Sequence, residues 1–134
     1  MELVLKKDME KLFGDTEKVK QGLEELEKDH AVWTIDRERE DVADILEGIK
    51  GLEFDVNTLM SDCVSLNKMK RKNGIRSDLR QAFKGLDNLF EDLKTVRKEM
   101  DQSYVTQGEL DQLEIDRARL RKTAEQIRED LQQG

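Results

Sequence analysis

Seam residues, mostly apolar, recur at alternating spacings of four and three along most of the chain. This spacing places them on one face of an α-helix, and nothing alternates with the two-residue period of a β-strand. Four runs keep the pattern and are called seams 1 to 4. They are Leu5, Met9, Leu12, Thr16, Val19, Leu23, Leu26, His30, Trp33; Val42, Ile45, Ile49, Leu52, Val56, Leu59, Cys63, Leu66; Leu79, Ala82, Leu86, Leu89, Leu93, Val96, Met100; and Leu110, Leu113, Arg117, Leu120, Ala124, Ile127, Leu131. A lone helix would leave its seam exposed, so the seams must pack on one another or on a partner.

The breaks between the seams predict helix ends. The spacing slips in TIDRERED (34–41) and again in DQSYVTQGE (101–109). Thr106 and Glu109 form a capping-box pattern between Val105 and Leu110, which predicts a helix beginning near residue 107. Gly14 followed by Asp15 gives a weaker stop and start, with Asp15 as the candidate N-cap.

The stretch KMKRKNGIRSDLR (68–80) predicts a reversal of the chain. Gly74 follows Asn73 and can take the left-handed conformation that ends a helix, with Ile75 folding back on Met69. Ser77 is then the N-cap of the next helix. After such a reversal, two antiparallel helices would lie side by side, as in a bundle. Residues whose numbers add up to about 148 would then lie opposite each other. Leu59 would meet Leu89.

The expected fold is all-α: an elongated antiparallel helical bundle or coiled-coil hairpin of three to four long segments. One helical domain spans 1–134, with segments at about 2–33, 36–72, 77–102 and 107–132 and the turn near 73–76. An extended hairpin and a bundle with corners at the two slips both fit the pattern.

Composition supports long helices and argues against two classes of function. Of the 134 residues, 41% are charged, 36% are apolar and none is proline, which is typical of coiled coils and long helices. The net charge of −7 argues against a general nucleic-acid binder and a broad basic membrane surface. A single cysteine, Cys63, and the lack of signal-peptide features indicate a cytoplasmic protein.

Several stretches resemble a spectrin repeat. WTIDRERE (33–40) and KGLEFDVNTLMSDCVSL (50–66) are similar to the end of its first helix and the entry to its second. SYVTQGELDQLEIDRARLRKTAEQIREDL (103–131) is similar to its second turn and third helix. The resemblance covers roughly residues 30–132 and implies a cytoskeletal spacer. The chain departs from the family in lacking a tryptophan in the third helix and in placing Asn73–Gly74 inside the second.

One dense basic cluster interrupts the acidic chain. It consists of Lys68, Lys70, Arg71, Lys72 and Arg76. At the tip of a hairpin these side chains could bind an acidic protein surface, anionic lipid headgroups or a nuclear import receptor. The plainer interpretation is a solvated helix end, where cations favour the helix dipole.

Other candidate chemistry is sparse. Glu27 and His30 form half of a di-iron motif that needs a second copy, so His30 is expected to be a register-setting seam residue. Cys63 occupies a seam position and is expected to be a small buried hydrophobe. Arg117 and Thr16 interrupt seams as polar register-setting residues. No catalytic residue, cofactor or metal site is expected.

The pattern therefore indicates a non-enzymatic protein. The expected role is a cytoskeleton-like scaffold or spacer, or a protein-interaction module, that acts through its coiled-coil seams. The alternative is a regulatory helical bundle of trafficking or secretion machinery that docks a partner helix. The expected partners are proteins that bind by helix–helix packing, including further copies of this chain. Neither nucleic acid nor a peripheral membrane contact is expected.

Overall fold

Four long helices form the chain, as a computed structural model shows for residues 1–32, 34–102 and 105–133, with Arg71 described by its backbone alone. They are α1 (Leu3–Ala31), α2 (Ile35–Ser65), α3 (Ile75–Gln102) and α4 (Gln107–Gln133), with a 3-10 turn at Arg71–Asn73. Each helix packs on the next one along the chain, and α4 packs back on α1. The all-α prediction is confirmed, and of the two arrangements the bundle is the one adopted.

The four seams face inward and form one core. Nearly all their apolar side chains are buried, and Ile75 adds to them at the start of α3. Leu66 is exposed at the end of seam 2, whereas Trp33 lies outside the described residues. The seams are therefore matched with one another inside the chain, and none is left open for a partner helix.

Thr16 and Arg117, two polar seam residues, form hydrogen bonds within their own helices. The Thr16 hydroxyl donates to the Phe13 carbonyl oxygen at 2.7 Å, within its own helix. Arg117 donates from Nε and Nη2 to the two carboxylate oxygens of Glu114, at 2.9 and 2.7 Å. This bidentate pair holds a buried guanidinium at the edge of the core.

The helix-end predictions have mixed outcomes. The capping box is confirmed, because the Glu109 N–H donates to Thr106 Oγ1 and the Thr106 N–H donates to Glu109 Oε2. The stop at Gly14 is wrong, since α1 continues through it. Asp15 faces Asp55 of α2 instead of capping a helix.

The α2–α3 connection differs most from expectation. Helix α2 ends at Ser65, about seven residues before the predicted end near residue 72, in a Schellman motif centred on Asn67 with φ of 56°. The Lys68 N–H donates to the Cys63 carbonyl at 2.8 Å, which closes this motif. Gly74 does adopt the left-handed conformation, but it follows a 3-10 turn and α3 begins directly after it.

One contact bears on how α2 pairs with α3. An ion pair joins Arg39 to Asp101 at 3.6 Å, two exposed residues whose numbers add up to 140. Leu59 and Leu89 are both fully buried. The predicted Leu59–Leu89 pairing stays a prediction.

Candidate functional site

The predicted basic cluster lies in and beside the α2–α3 connection. Lys68 Nζ lies 3.0 Å from Glu2 Oε1, which ties the connection to the start of α1 and lowers the pKa of Glu2. Lys70, Lys72 and Arg76 are exposed. The Arg71 side chain lies outside the described part of the chain. The cluster thus keeps at least three cations facing solvent.

A partly apolar groove runs between α2 and α3. Its floor comes from residues that directly follow seam residues: Leu46 and Met60 on α2, and Phe83 and Phe90 on α3. All four are half-buried and pack against the core. Where the groove nears the end of α3 it deepens into a cavity of about 230 Å³ lined by residues that include Leu46 and Met100. We call this region the α2–α3 groove.

The rim of the α2–α3 groove carries more positive than negative side chains. Its helical positions hold six exposed cations: Arg39, Lys50, Arg76, Arg80, Lys94 and Arg97. They also hold four exposed anions: Asp36, Glu53, Asp87 and Asp101. Arg39 and Asp101 bind each other across the groove. Arg76 belongs both to this rim and to the basic cluster, which also contains Lys70 and Lys72. A chain with a net charge of −7 therefore has one locally basic groove.

The groove between α1 and α4 differs in what lies on its aromatic ring. Phe13 follows a seam residue, as Phe83 and Phe90 do, but two guanidinium groups stack on its ring. Arg128 lies 4.6 Å and Arg121 5.3 Å from the ring centroid. The same groove contains a cavity of about 540 Å³ lined by residues that include Phe13 and Arg128. Among the described residues, no cation stacks on Phe83 or Phe90, so the two grooves differ in the cations on their rings and not in how open they are.

Aspartates face each other in pairs along the other two helix contacts. The pairs are Asp8–Asp62, Asp15–Asp55 and Asp29–Asp41 between α1 and α2, and Asp78–Asp130 and Asp92–Asp116 between α3 and α4. We call them the aspartate pairs, and the two helix contacts the α1–α2 edge and the α3–α4 edge. The residue numbers add up to 70 in every α1–α2 pair and to 208 in both α3–α4 pairs. Each pair thus repeats the same contact at multiples of seven residues.

Glycines occupy the same row where aspartates are missing. Gly22 of α1 and Gly48 of α2 lie midway between two pairs, and their numbers also add up to 70. A Cβ on Gly48 would come within 2.9 Å of Val19 Cγ2, and one on Gly22 within 3.0 Å of Ile45 Cγ1. The α1–α2 edge is therefore closely packed, with room only for small residues between the pairs.

The aspartate pairs have strongly shifted acidity. In each pair, the pKa of one aspartate is raised to about 7. Burial is the largest cause of this rise, and the facing aspartate is the next largest. These members are Asp8, Asp41, Asp55, Asp78 and Asp92. A carboxyl with such a pKa carries a proton over part of the physiological range.

The positions of His30 and Cys63 in the bundle indicate structural roles. His30 Nδ1 lies 2.6 Å from Glu38 Oε1 and joins α1 to α2 next to their connection, while Glu27 is exposed. Cys63 is buried, and burial followed by the nearby Asp8 raises the pKa of its thiol to about 11. Such a thiol is protonated at neutral pH, which suits the predicted hydrophobic role.

Within the described residues, no three His, Cys, Asp or Glu side chains converge as ligands of a metal ion. In the same part of the chain, none of the helices has a stretch long and apolar enough to cross a bilayer.

Sequence reasoning missed the aspartate pairs and the α2–α3 groove. The pairs had a visible signal, because Asp8, Asp15 and Asp29 each directly precede a seam residue at multiples of seven. The groove depended on which helices become neighbours, and the seams alone do not determine that.

Comparisons with known proteins leave the fold without a family. Neither the protein-family models, nor the curated proteins, nor the solved structures gave a match to this chain. The four-helix bundle is compatible with a helical-repeat type of fold. The resemblance of residues 30–132 to a spectrin repeat has no support from a family match.

Proposed function

We propose that this chain is a non-enzymatic helical module that binds a partner protein, and that the α2–α3 groove receives an acidic amphipathic helix of that partner. The observation that carries the proposal is the half-buried apolar floor between mostly basic rims on an acidic chain. Helix-in-groove recognition needs both features: apolar anchors for affinity, and rim charges for orientation.

The dimensions of the groove suit a helix. Leu46 and Met60 are fourteen residues apart on α2, which corresponds to about 21 Å, or four helical turns. Phe90 and Phe83 lie opposite this span on α3. A partner helix with apolar residues at i, i+3, i+4 and i+7 would place them along the floor and leave its acidic residues near Lys50, Lys94 and the other rim cations.

This mechanism replaces the one expected from the seams. Seam residues were expected to recruit partner helices, but they are buried in the chain's own core. The flanking residues of α2 and α3 take over that role in the proposal. A groove of this kind serves a scaffold module as well as a regulatory bundle of trafficking or secretion machinery. A cytoplasmic location remains part of the proposal because the single thiol, Cys63, suits a reducing compartment.

A photocrosslinking experiment tests the proposal. A benzophenone amino acid replaces exposed Asn57 beside the groove, and its crosslinked products in extracts of the source cells are identified by mass spectrometry. The segment captured is then synthesised, and its affinity is measured by fluorescence anisotropy. We expect an acidic amphipathic helix whose binding weakens at least tenfold, on the order of 1.4 kcal/mol, with Phe90→Glu.

Two control variants make the experiment specific. Ile115→Glu changes an exposed apolar residue of α4, and should leave binding unchanged. A triple variant, Lys70→Gln, Lys72→Gln and Arg76→Gln, tests the basic cluster by itself. Binding that fails in this triple variant but tolerates Phe90→Glu would show that the α2–α3 connection, and not the groove, is the binding site.

A further inference from the structure

The aspartate pairs leave buried oxygens without a hydrogen-bond donor. One member of each pair has a carboxylate oxygen that is inaccessible to solvent and has no hydrogen-bond partner among the described residues. These oxygens are Asp8 Oδ2, Asp41 Oδ2, both oxygens of Asp55, Asp78 Oδ2 and Asp92 Oδ2. Buried polar atoms in folded proteins are hydrogen-bonded with few exceptions, so five repeats of the same exception need a common explanation.

A shared proton supplies the missing donor. Two ionised carboxylates have only acceptor atoms, so they repel each other and cannot form a hydrogen bond. One proton on either member turns the pair into a donor facing an acceptor, and it removes the repulsion of the two charges. The partner aspartates already face the buried oxygens, and the facing positions recur at multiples of seven residues. Protonation therefore satisfies all five pairs in the same way.

We propose that the aspartate pairs are a proton-operated latch, in which one shared proton per pair closes the α1–α2 and α3–α4 edges in mildly acidic solution and its loss loosens them in alkaline solution. The latch acts on two of the four helix contacts. The α2–α3 and α1–α4 contacts contain no such pair among the described residues.

The charges around the α1–α2 pairs are mostly acidic. Asp41 faces Asp29 and is also close to Glu25 and Asp44. Lys11 lies near both Asp8 and Asp55, at 3.7 Å from Asp55 Oδ1, and Lys18 lies 3.7 Å from Asp15. The ammonium groups of Lys11 and Lys18 belong to well-exposed side chains, so water screens them and neither replaces the shared proton.

The α3–α4 pairs have a similar environment. Asp78 faces Asp130, whose carboxylate accepts a hydrogen bond from Gln126 at 3.0 Å. Asp92 faces Asp116 and is close to Glu91. Asp116 in turn accepts from Gln112 at 3.2 Å and lies 3.6 Å from Arg119. In both pairs, therefore, these donors bind the partner aspartate, which leaves the oxygen of Asp78 or Asp92 to the proton.

The direction of the effect follows from proton linkage. The pKa of one member of each pair rises from the ordinary value of 3.8 to about 7 in the folded chain. Between these values the folded chain binds more protons than the unfolded chain, so its stability falls as the pH rises. The stabilisation is complete near the unfolded value and is lost as the pH passes the folded value.

Thermal unfolding at pH 5 and pH 8 tests the latch. We expect the wild-type chain to melt at a higher temperature at pH 5 than at pH 8, the opposite of acid denaturation. The variant that carries an amide in each pair should lose most of this difference, because an Asn side chain donates the hydrogen bond at every pH. Its substitutions are Asp8→Asn, Asp41→Asn, Asp55→Asn, Asp78→Asn and Asp92→Asn. It should melt higher than the wild type at pH 8.

A matched variant controls for the change in net charge. It replaces five exposed acids outside the pairs: Glu10→Gln, Asp36→Asn, Glu40→Gln, Asp87→Asn and Glu129→Gln. This variant should keep the wild-type difference between pH 5 and pH 8. If both variants lose the difference equally, net charge and not the pairs causes it, and the latch is wrong.

A direct titration keeps the proposal testable if the amide variant does not fold. Carbon-detected NMR of the wild-type chain follows the Asp55 carboxyl, and we expect a midpoint near pH 7. Complete ionisation of Asp55 at pH 5 would overturn the latch. Melting is also repeated at pH 8 with millimolar MgCl2 or CaCl2. Stabilisation by either salt that the amide variant abolishes would assign the pairs to a metal ion instead of a proton.

Discussion

The two kinds of helix contact in this bundle use the same seams but different flanking residues. At the α1–α2 and α3–α4 edges, the residue before alternate seam positions is small or acidic, as Gly48 and Asp55 are. At the α2–α3 groove, the residues after alternate seam positions include large apolar ones, as Phe83 and Phe90 are, and charged ones such as Arg97. The first kind brings the helices close together, and the second kind holds a half-exposed apolar surface.

This difference separates the tasks of the two regions. Residues at the edges face their equivalents across a short distance, so their charge state affects how well the helix pairs close. Residues of the groove such as Phe83 and Phe90 are half-buried, so part of each side chain faces solvent. In the two proposals, binding and pH response therefore belong to different surfaces of one bundle.

The core beneath both regions should dominate stability. Leu89 is fully buried, and Leu89→Ala should lower the free energy of unfolding by about 2–5 kcal/mol through lost burial and the cavity left behind. Ile115→Ala, at a half-exposed position, should change it by less than about 0.5 kcal/mol. Urea unfolding followed by circular dichroism measures both. Equal losses in the two variants would mean that Leu89 is not part of the packed core.

Replacing a glycine inside a helix by alanine usually stabilises the helix. Close packing at the α1–α2 edge should make the same replacement destabilising there. Gly14→Ala, with no atom near its added Cβ, should stabilise the chain by about 0.5–1 kcal/mol through helix propensity. Gly48→Ala places the Cβ 2.9 Å from Val19, whose χ1 is restricted in a helix, and should destabilise it by roughly 0.5–2 kcal/mol. The same urea unfolding applies, and stabilisation by both variants would contradict close packing.

The regular part of the fold could be predicted from the sequence because it depends on local spacing. Seam positions such as Leu52 and Leu120 are buried as the heptad pattern requires, and the Thr106–Glu109 capping box marks the start of α4. These features need only the contacts of one helix turn with the next.

The features that the sequence did not predict depend on contacts between residues that are far apart in the chain. Both Asn67 and Gly74 have the left-handed conformation, and the sequence favoured Gly74 because glycine takes it without strain. Helix α2 ends at Ser65 instead, and Asn67 closes the Schellman motif in which the Lys68 N–H reaches the Cys63 carbonyl. The Lys68 side chain also binds Glu2, just before α1. This contact joins distant parts of the chain, which the spacing of seam residues does not reveal.

A single aspartate pair should show the pH response on a smaller scale. Asp55→Asn should leave stability nearly unchanged at pH 5, where the pair already holds its proton. At pH 8 it should raise the free energy of unfolding by about 0.5–1.5 kcal/mol, because the amide donates the hydrogen bond that the ionised pair lacks. Urea unfolding at the two pH values measures the effect, with Asp87→Asn as the exposed control. A gain of equal size at both values would contradict a shared proton.

The smallest predicted effect concerns the guanidinium groups that cover Phe13. Arg128→Gln removes the closer of the two and should lower stability by about 0.5–1 kcal/mol, as expected for a cation–π contact on a half-buried ring. Arg80→Gln, on the exposed rim of the α2–α3 groove, should have almost no effect. A double-mutant cycle with Phe13→Leu isolates the interaction between ring and cation. A coupling energy near zero would mean that the α1–α4 groove is no better covered than the α2–α3 groove, and a partner helix should then bind either one.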